Sequence, residues 1–349
     1  MPLGKTFKAA ILVEQNAPLI IDDIRLPDKL EIGQVLVSVH YSGICGSQLG
    51  EIDGAKGPDR WLPHLLGHEG SGTVLAVGPG VRHVFEGDKV VLHWRPGSGI
   101  EAVAPKYRWG DKTINAGWVT TFNEMAVVSE NRLTRIPQDA DMEVAPLFGC
   151  AVTTGFGTVM NNAQLRIGES IVVFGAGGVG LNMVQAAAMT SAHPIIAVDV
   201  FGGRLELARM MGATHTINAR VDDVYSQIRD ILGEQTLDVF IDNTGKPEII
   251  EQGYGLTGPK GRVVLVGVPQ KGNDISIYSL PLHFGKIITG SHGGETIPDE
   301  DIPRYMRLFA DGKLRLKELL TETFSLEDIN LAIKGMRDGS ISGRCLIRV

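Results

Sequence analysis

Cys45, in Ser42-Gly-Ile-Cys-Gly-Ser47, and the pair His68-Glu69, in Leu66-Gly-His-Glu-Gly-Ser-Gly72, both stand where a β-rich run gives way to a turn. Thiolate, imidazole and carboxylate are the usual ligands of zinc, and three protein ligands with one open position make a catalytic site. Cys150 is the third soft donor. The same residues also fit a plainer reading, because a lone buried cysteine is commonly a small apolar core residue.

A second chemistry is written into Ser170-Ile-Val-Val-Phe-Gly-Ala-Gly-Gly-Val-Gly-Leu181. A β-branched run breaks into glycines and resumes as the helical pattern Asn182-Met-Val-Gln-Ala-Ala-Ala188, so that Gly175, Gly177 and Gly180 match G-x-G-x-x-G. Gly175 permits the tight turn. Gly177 lets backbone approach a pyrophosphate, and Gly180 lets the helix pack on the strand, with the amides from Gly177 through Gly178 and Val179 left for the anion. A second strand, Pro194-Ile-Ile-Ala-Val-Asp199, ends in an acid 19 residues after Gly180, close to the roughly 20 of a ribose-binding carboxylate.

The elements that must position these residues fall into two styles. The first 140 residues carry short β-rich runs, Val35–His40, Gly72–Gly78, Asp88–Leu92 and Asn123–Val128, separated by turn signals such as Pro79-Gly80, which predicts a compact and mostly antiparallel β domain. Between Arg95 and Gly117 the strand rhythm is lost, which predicts an irregular surface lobe. From about Glu143 strand-like and helix-like segments alternate, with Gly203–Met211 and Asp222–Ile231 amphipathic and Leu237–Asp242 and Arg262–Gly267 apolar, the pattern of βαβ units and a parallel sheet. Two further helices, around 302–309 and 326–333, precede a last strand at Arg344–Val349.

At 349 residues the length allows two domains, and 43% hydrophobic residues supply more than one core. A net charge of −7 argues against a nucleic-acid partner, and no uninterrupted apolar stretch is long enough for a membrane span. With no signal-peptide pattern at the N-terminus, the expectation is a soluble cytoplasmic protein with a small solute as partner. Three cysteines far apart in sequence are a poor basis for disulfides and read as thiols, buried or metal-bound.

Taken together, the Gly-Ile-Cys-Gly-Ser and Gly-His-Glu motifs, Phe148-Gly-Cys-Ala-Val-Thr-Thr-Gly-Phe-Gly157, the Gly-Ala-Gly-Gly-Val-Gly turn and Val266-Gly-Val-Pro269 resemble, in order and spacing, the zinc-containing alcohol dehydrogenases of the medium-chain dehydrogenase/reductase family. The resemblance covers essentially the whole chain. It implies an α/β protein with a GroES-like β-rich catalytic domain over 1–151, a Rossmann domain with a doubly wound parallel sheet over 152–290, and a C-terminal return to the catalytic domain over 291–349. It also implies hydride transfer between NAD and an alcohol or carbonyl substrate, with zinc as Lewis acid, in a homodimer or homotetramer. Cys45, His68 and Cys150 match the ligands of one catalytic zinc per subunit, and Glu69 matches an acid that either binds that zinc or stands behind it. Ser47 matches the hydroxyl that takes the substrate proton, and Thr154 a residue packing on the nicotinamide. Asp199 and Arg204 match the adenosine site, with Asp199 favouring NAD over NADP. Val266 and Val268 match cofactor contacts, and Arg344 a pyrophosphate-binding arginine.

Three departures from the family pattern stand out. The family's structural zinc lobe holds four cysteines, whereas Arg95–Gly117 has none, so no structural zinc is expected. Gln48 replaces an acid that supports the zinc-bound histidine. Gly50 replaces a proton-relay histidine, leaving His40, His64 and His93 as unassigned substitutes. Two other readings are a zinc-free reductase of activated double bonds, which would not need the three ligands together, and a catalytically silent nucleotide-binding protein. The resemblance also places Trp94 in the substrate pocket; with His93 and Arg95 beside it, and Lys106, Arg108, Trp109, Lys112 and Trp118 beyond, it predicts a polar substrate, a polyol, sugar, cyclitol or anionic alcohol.

Overall fold

The computed structural model describes residues 3–349, which divide into two units, one running as far as Cys150 and resuming over Ile297–Val349, the other Ala151–Thr296. In chain order the first unit opens with β1 (Thr6–Leu12), β2 (Ile20–Arg25), β3 (Gln34–Gly43), a short helix α1 (Gly46–Ile52), β4 (His64–Leu65), β5 (Glu69–Val77), β6 (Lys89–His93), β7 (Lys106–Trp109), β8 (Lys112–Asn115), β9 (Met125–Ser129) and β10 (Leu133–Arg135). A 3-10 turn over Ala145–Gly149 then delivers Cys150.

The second unit contains α2 (Ala151–Gly157), β11 (Ile171–Phe174), α3 (Gly178–Met189), β12 (Ile195–Asp199), α4 (Gly202–Met211), β13 (His215–Asn218), α5 (Val224–Leu232), β14 (Leu237–Asp242), α6 (Pro247–Leu256), β15 (Thr257–Leu265) and β16 (Ile287–Gly290). Back in the first unit come α7 (Pro298–Ala310), β17 (Leu320–Ser325), α8 (Ile329–Asp338) and β18 (Arg344–Arg348).

The first unit is built from a closed barrel, β1-β2-β7-β8-β4, and a seven-stranded sheet in the order β10-β6-β5-β3-β18-β17, with β9 also paired to β3. Alternation explains the barrel. Tyr107 and Ile114 point inward, fully buried with Phe7, Ile11 and Ile24, while Lys106, Arg108 and Lys112 face solvent. Burying an aromatic or aliphatic side chain of this kind contributes about 1.5–3 kcal/mol. The segment read from sequence as an irregular lobe therefore contains a hairpin that completes a barrel. Its charges masked the alternation.

The second unit is one parallel sheet in the order β13-β12-β11-β14-β15-β16. Renumbered within the unit this is 3-2-1-4-5-6, the doubly wound order whose ligands sit beyond the carboxyl ends of the strands at the switch point, here between β11 and β14. The strands at its centre are buried, as a sheet covered by helices on both faces requires: all four residues of β11 are apolar and buried, and all five of β12 are buried, apolar up to the closing Asp199.

The return to the first unit falls at Ile297 and not at Ser291. Residues 291–296 stay with the second unit because Ser291 Oγ bonds Thr158 Oγ1 at 3.1 Å and the Gly294 carbonyl accepts from Asn161 Nδ2 at 2.8 Å. α7 then begins with Pro298 and three acids, Asp299, Glu300 and Asp301, where a helix N-terminus favours them. Among the described residues no helix is long and apolar enough to cross a membrane.

Candidate metal and nucleotide sites

In the first unit three elements converge on one point. β3 ends at Gly43, and Cys45 is the extended residue that caps α1. Gln48, at the third position of that helix, takes the Cys45 N–H on its side-chain oxygen at 3.0 Å, a reciprocal cap that fixes where the helix starts. His68 immediately precedes β5. The 3-10 turn before Cys150 lies so close to β5 and β6 that a Cβ on Gly149 would fall 2.4 Å from the Leu92 carbonyl and 3.1 Å from Glu69 Cα. Only glycine fits there, and that close approach brings Cys150 to the other two.

The ligand atoms of Cys45, His68 and Cys150 all lie within 4.8 Å of one another. Zinc bonds of about 2.0–2.3 Å in tetrahedral array need ligand atoms about 3.5 Å apart, so modest closure brings the three onto one ion. None of the three cysteines of the chain is bridged to another. His68 Nε2 is buried and has no hydrogen-bond partner, a state that costs free energy unless a ligand occupies it. The Cys45 thiol is held well below its ordinary pKa by its hydrogen bond with Cys150, then by His68 and the Arg344 charge, against the opposing effect of burial. Two soft sulfurs, one with its pKa lowered by its neighbours, and an unpartnered imidazole nitrogen are the donor set zinc takes.

Glu69 stands behind this group. It is fully buried and forms a close ion pair with Arg344, itself 3% exposed, at the start of β18. The arginine matched to a pyrophosphate contact is thus neither a solvated surface cation nor free of a counter-charge: its nearest anion is Glu69. Ser47 is exposed on the first turn of α1. Trp94 lies beside His68, ring centroids 6.4 Å apart, and the Arg95 guanidinium sits 6.0 Å from the Trp94 ring centre. The more distant aromatic and cationic residues are engaged with other partners. Trp109 donates to Asp22 at 2.7 Å, Lys112 lies over Trp109, and Arg132 lies over Trp118.

The three unassigned histidines separate clearly. His93 is buried, with Nδ1 at the Arg95 carbonyl and Nε2 at Thr134 Oγ1, and burial pushes its pKa down to about 4. It is a neutral structural residue. His40 Nε2 meets Thr73 Oγ1 at 3.2 Å, and its pKa is lowered by burial and by Lys89. His64 joins Asp59 and Glu51 in a group spanning 4.8 Å, with Nδ1 at the Leu65 carbonyl and Nε2 at Asp59 Oδ2, so both ring nitrogens are taken up.

In the second unit the glycine turn joins β11 to α3. Gly175 has φ +98, and a Cβ on Gly180 would fall 2.0 Å from the Gly175 carbonyl, so neither position admits another residue. A Cβ on Gly177 would meet nothing within 4 Å. That open cradle, at the half-buried start of α3 with Gly178 and Val179, leaves room for an anionic group at a helix N-terminus. Asp199 is buried at the end of β12: Oδ1 accepts from the Val200 and Phe201 amides and Oδ2 from the Ala176 amide at 2.8 Å, which ties the carboxylate to the glycine turn. Arg204 Nη1 stands 3.7 Å from Asp199 and its guanidinium lies over the Phe201 ring at 4.7 Å.

Thr154 on α2 buries a hydroxyl with no partner. Val266 donates its N–H to the Asp242 carbonyl, and Val268 is 54% exposed just beyond β15.

Sequence reasoning missed Asp242 and Asn243, at the end of β14. Asp242 is fully buried and takes the amides of Thr244 and Gly245, and Asn243 Nδ2 donates to the Gly175 carbonyl at 3.2 Å, bracing the turn from the other side of the switch point. The available signal was the strand pattern Leu237–Asp242 ending in a polar pair.

Residues 31–138 match the family described as alcohol dehydrogenase GroES-like domain, and residues 178–311 the family described as zinc-binding dehydrogenase. The chain is 31% identical to an NDMA-dependent alcohol dehydrogenase of Amycolatopsis methanolica, over 95% of this chain and 96% of that protein. It is 32% identical to an S-(hydroxymethyl)glutathione dehydrogenase of Synechocystis sp., over 95% of this chain and 97% of the other. Among solved structures, benzyl alcohol dehydrogenase from Acinetobacter calcoaceticus superimposes with a TM-score of 0.88 at 30% identity, covering 99% of both chains. With matching families on both units and relatives of this identity along nearly its full length, the chain belongs to the zinc-type alcohol dehydrogenases of the medium-chain dehydrogenase/reductase family.

Proposed function

We propose that this protein interconverts an alcohol and its carbonyl compound, with one zinc per subunit at Cys45, His68 and Cys150 and with NAD as the preferred nicotinamide cofactor. The observation that carries the proposal is the buried, unpartnered His68 Nε2 grouped with two thiols whose ligand atoms lie within 4.8 Å of it. When bound, zinc supplies Lewis-acid polarisation of the substrate oxygen and the nicotinamide supplies hydride exchange. The chain's own residues do the rest. Ser47, exposed next to Cys45, takes the proton of the alcohol. Glu69, neutralised by Arg344, supports the ligands from behind, and Trp94 walls the pocket beside His68. The open Gly177 cradle receives the pyrophosphate. Asp199 receives the ribose hydroxyls and repels a 2′-phosphate, while Arg204 moderates that repulsion. The unpartnered Thr154 hydroxyl, Val266 and Val268 face the nicotinamide end.

The substrate we propose is polar or anionic, because Arg95 stacks on Trp94 and brings a bidentate donor to the rim of the pocket. A second reading, a planar aromatic alcohol, is favoured by the flat indole face of Trp94 beside His68. A panel of polyols, hydroxy acids, benzylic alcohols and straight-chain alcohols, run with NAD and NADP on zinc-loaded protein, separates them. Preference for unbranched aliphatic alcohols overturns both, and absence of any turnover across the panel overturns the enzyme reading. We also propose a homo-oligomer in which a second copy covers the free edge at β16, where Ile287, Phe284, Leu280 and Tyr278 are 47%, 69%, 47% and 72% exposed. Sedimentation of a monomer at micromolar concentration overturns that part.

A further inference from the structure

The side chain of Gln48 is buried, 2% exposed, and faces two groups at once: its Oε1 takes the Cys45 N–H at 3.0 Å and its Nε2 meets His68 Nδ1. A carboxamide offers one acceptor oxygen and one donor nitrogen. As arranged, the Gln48 N–H donates to His68 Nδ1, which fixes the ring proton on Nε2, the nitrogen aimed into the metal pocket. A metal bound through Nε2 requires the opposite tautomer, with the proton on Nδ1. His68 Nδ1–H and Cys45 N–H are then two donors facing one amide, and turning the amide over relieves one of them only by exposing the other to an N–H. The conflict therefore does not depend on which way the amide is turned.

We infer that Gln48 is a positioning residue that holds the metal-free pocket in a tautomer opposed to metal binding, so that this chain binds its zinc more weakly and exchangeably than its ligand set would by itself. The inference rests on the zinc reading of Cys45, His68 and Cys150. A carboxylate in the same place would answer both donors, one oxygen each, and would add negative charge next to a ligand of a cation. It would also suit the first turn of α1, which has no acidic residue. Outer partners of metal-bound histidines commonly change metal affinity about 10–100-fold.

The test is zinc competition against a chromogenic chelator at fixed pH, on the full chain and on Gln48→Glu, Gln48→Met and His68→Ala, with circular dichroism on each. The inference expects wild type to bind zinc through His68, Gln48→Glu to lower the zinc dissociation constant about 10–100-fold, and Gln48→Met to gain nothing. A second measurement needs no variant. In 15N spectra of the metal-free protein the His68 ring proton is expected on Nε2, moving to Nδ1 on zinc loading. Wild-type zinc binding that His68→Ala abolishes, together with equal or weaker binding by folded Gln48→Glu, overturns the inference and leaves the zinc site standing. A metal-free ring proton already on Nδ1 overturns it as well. Should wild type bind no zinc at these residues, the site reading falls and the inference with it.

Discussion

The pocket formed by Cys45, His68 and Cys150 and the loop from Arg95 to Pro105 lie in the same unit, and they treat buried polar groups in opposite ways. In the pocket, a histidine nitrogen is left without a partner between two thiols. In the loop most are answered, Arg132 Nη1 excepted. Glu130, 1% exposed, accepts the amides of Arg82, His83 and Ile100, Ser129 Oγ bonds Ile100 and Asn131, Arg132 pairs with Glu101, and Ser98 bonds Asp299. A buried carboxylate with three amide donors organises the loop as a metal ion would, but from within the protein's own atoms. The contrast teaches where to look for a ligand: at groups the fold has desolvated and then left unsatisfied.

Breaking the contrast on the pocket side should give the largest effect. Cys45→Ala or His68→Ala is expected to remove zinc and to lower kcat/KM by about 10³-fold or more, since Lewis-acid stabilisation of several kcal/mol converts at about 1.4 kcal/mol per tenfold. Elemental analysis beside steady-state kinetics checks it, and retained zinc would move the site elsewhere. Ser47→Ala should keep the metal yet lose about 10²-fold in turnover, the lower range for a positioned proton acceptor. A variant with unchanged turnover would assign proton transfer to another group.

On the loop side, Glu130→Gln should leave zinc content and kcat near wild type while costing about 1–3 kcal/mol in a denaturant melt, because an amide NH2 replaces one acceptor of a buried network. Its pH signature sharpens the comparison. Burial tends to raise the Glu130 pKa, but the amides of Arg82, Ile100 and His83 prevail and hold it below the usual glutamate value. A carboxyl depressed in the folded state stabilises above its unfolded pKa, about 4.3, and that stability is lost as pH falls through the lower folded value. Wild type should therefore lose stability in acid more steeply than Glu130→Gln; identical acid curves would show that Glu130 is not the group that titrates.

The smallest effect belongs to the second unit. Asp199→Ala should cut the preference for NAD over NADP by about tenfold, an effect on the order of 1–2 kcal/mol for an ion-assisted hydrogen bond. An unchanged cofactor ratio would detach Asp199 from the ribose.

How much of this the sequence held depends on how far apart the partners lie along the chain. The glycine turn and its acid were legible because strand, turn and helix follow one another, and the order of β12 beside β11 follows from the same alternation. Cys45, His68 and Cys150 were legible as residue types, while their convergence needed the Gly149 approach to β6. The β7–β8 hairpin was hidden because cations occupy three of its outward positions and turn a period-two pattern into a run of charge. The Glu69–Arg344 pair was out of reach altogether: its halves come from β5 and β18, on either side of β3 in the sheet, and nothing local to either motif names the other. The extra residues at Ser291–Thr296 stay with the second unit through contacts to Thr158 and Asn161 that periodicity cannot express.

That last strand has a consequence for synthesis. β18 pairs with β3 through Leu346 and Gly43, and the Ile44 amide bonds the Cys345 carbonyl, so the ladder that ends beside Cys45 is completed by residues that follow the whole second unit in the chain. The whole second unit, Ala151–Thr296, precedes Arg344 in the chain and can fold while Glu69 still lacks its arginine. Until Arg344 is added, Glu69 is a carboxylate destined for complete burial with no cation to meet it, and burying an unpaired charge costs several kcal/mol.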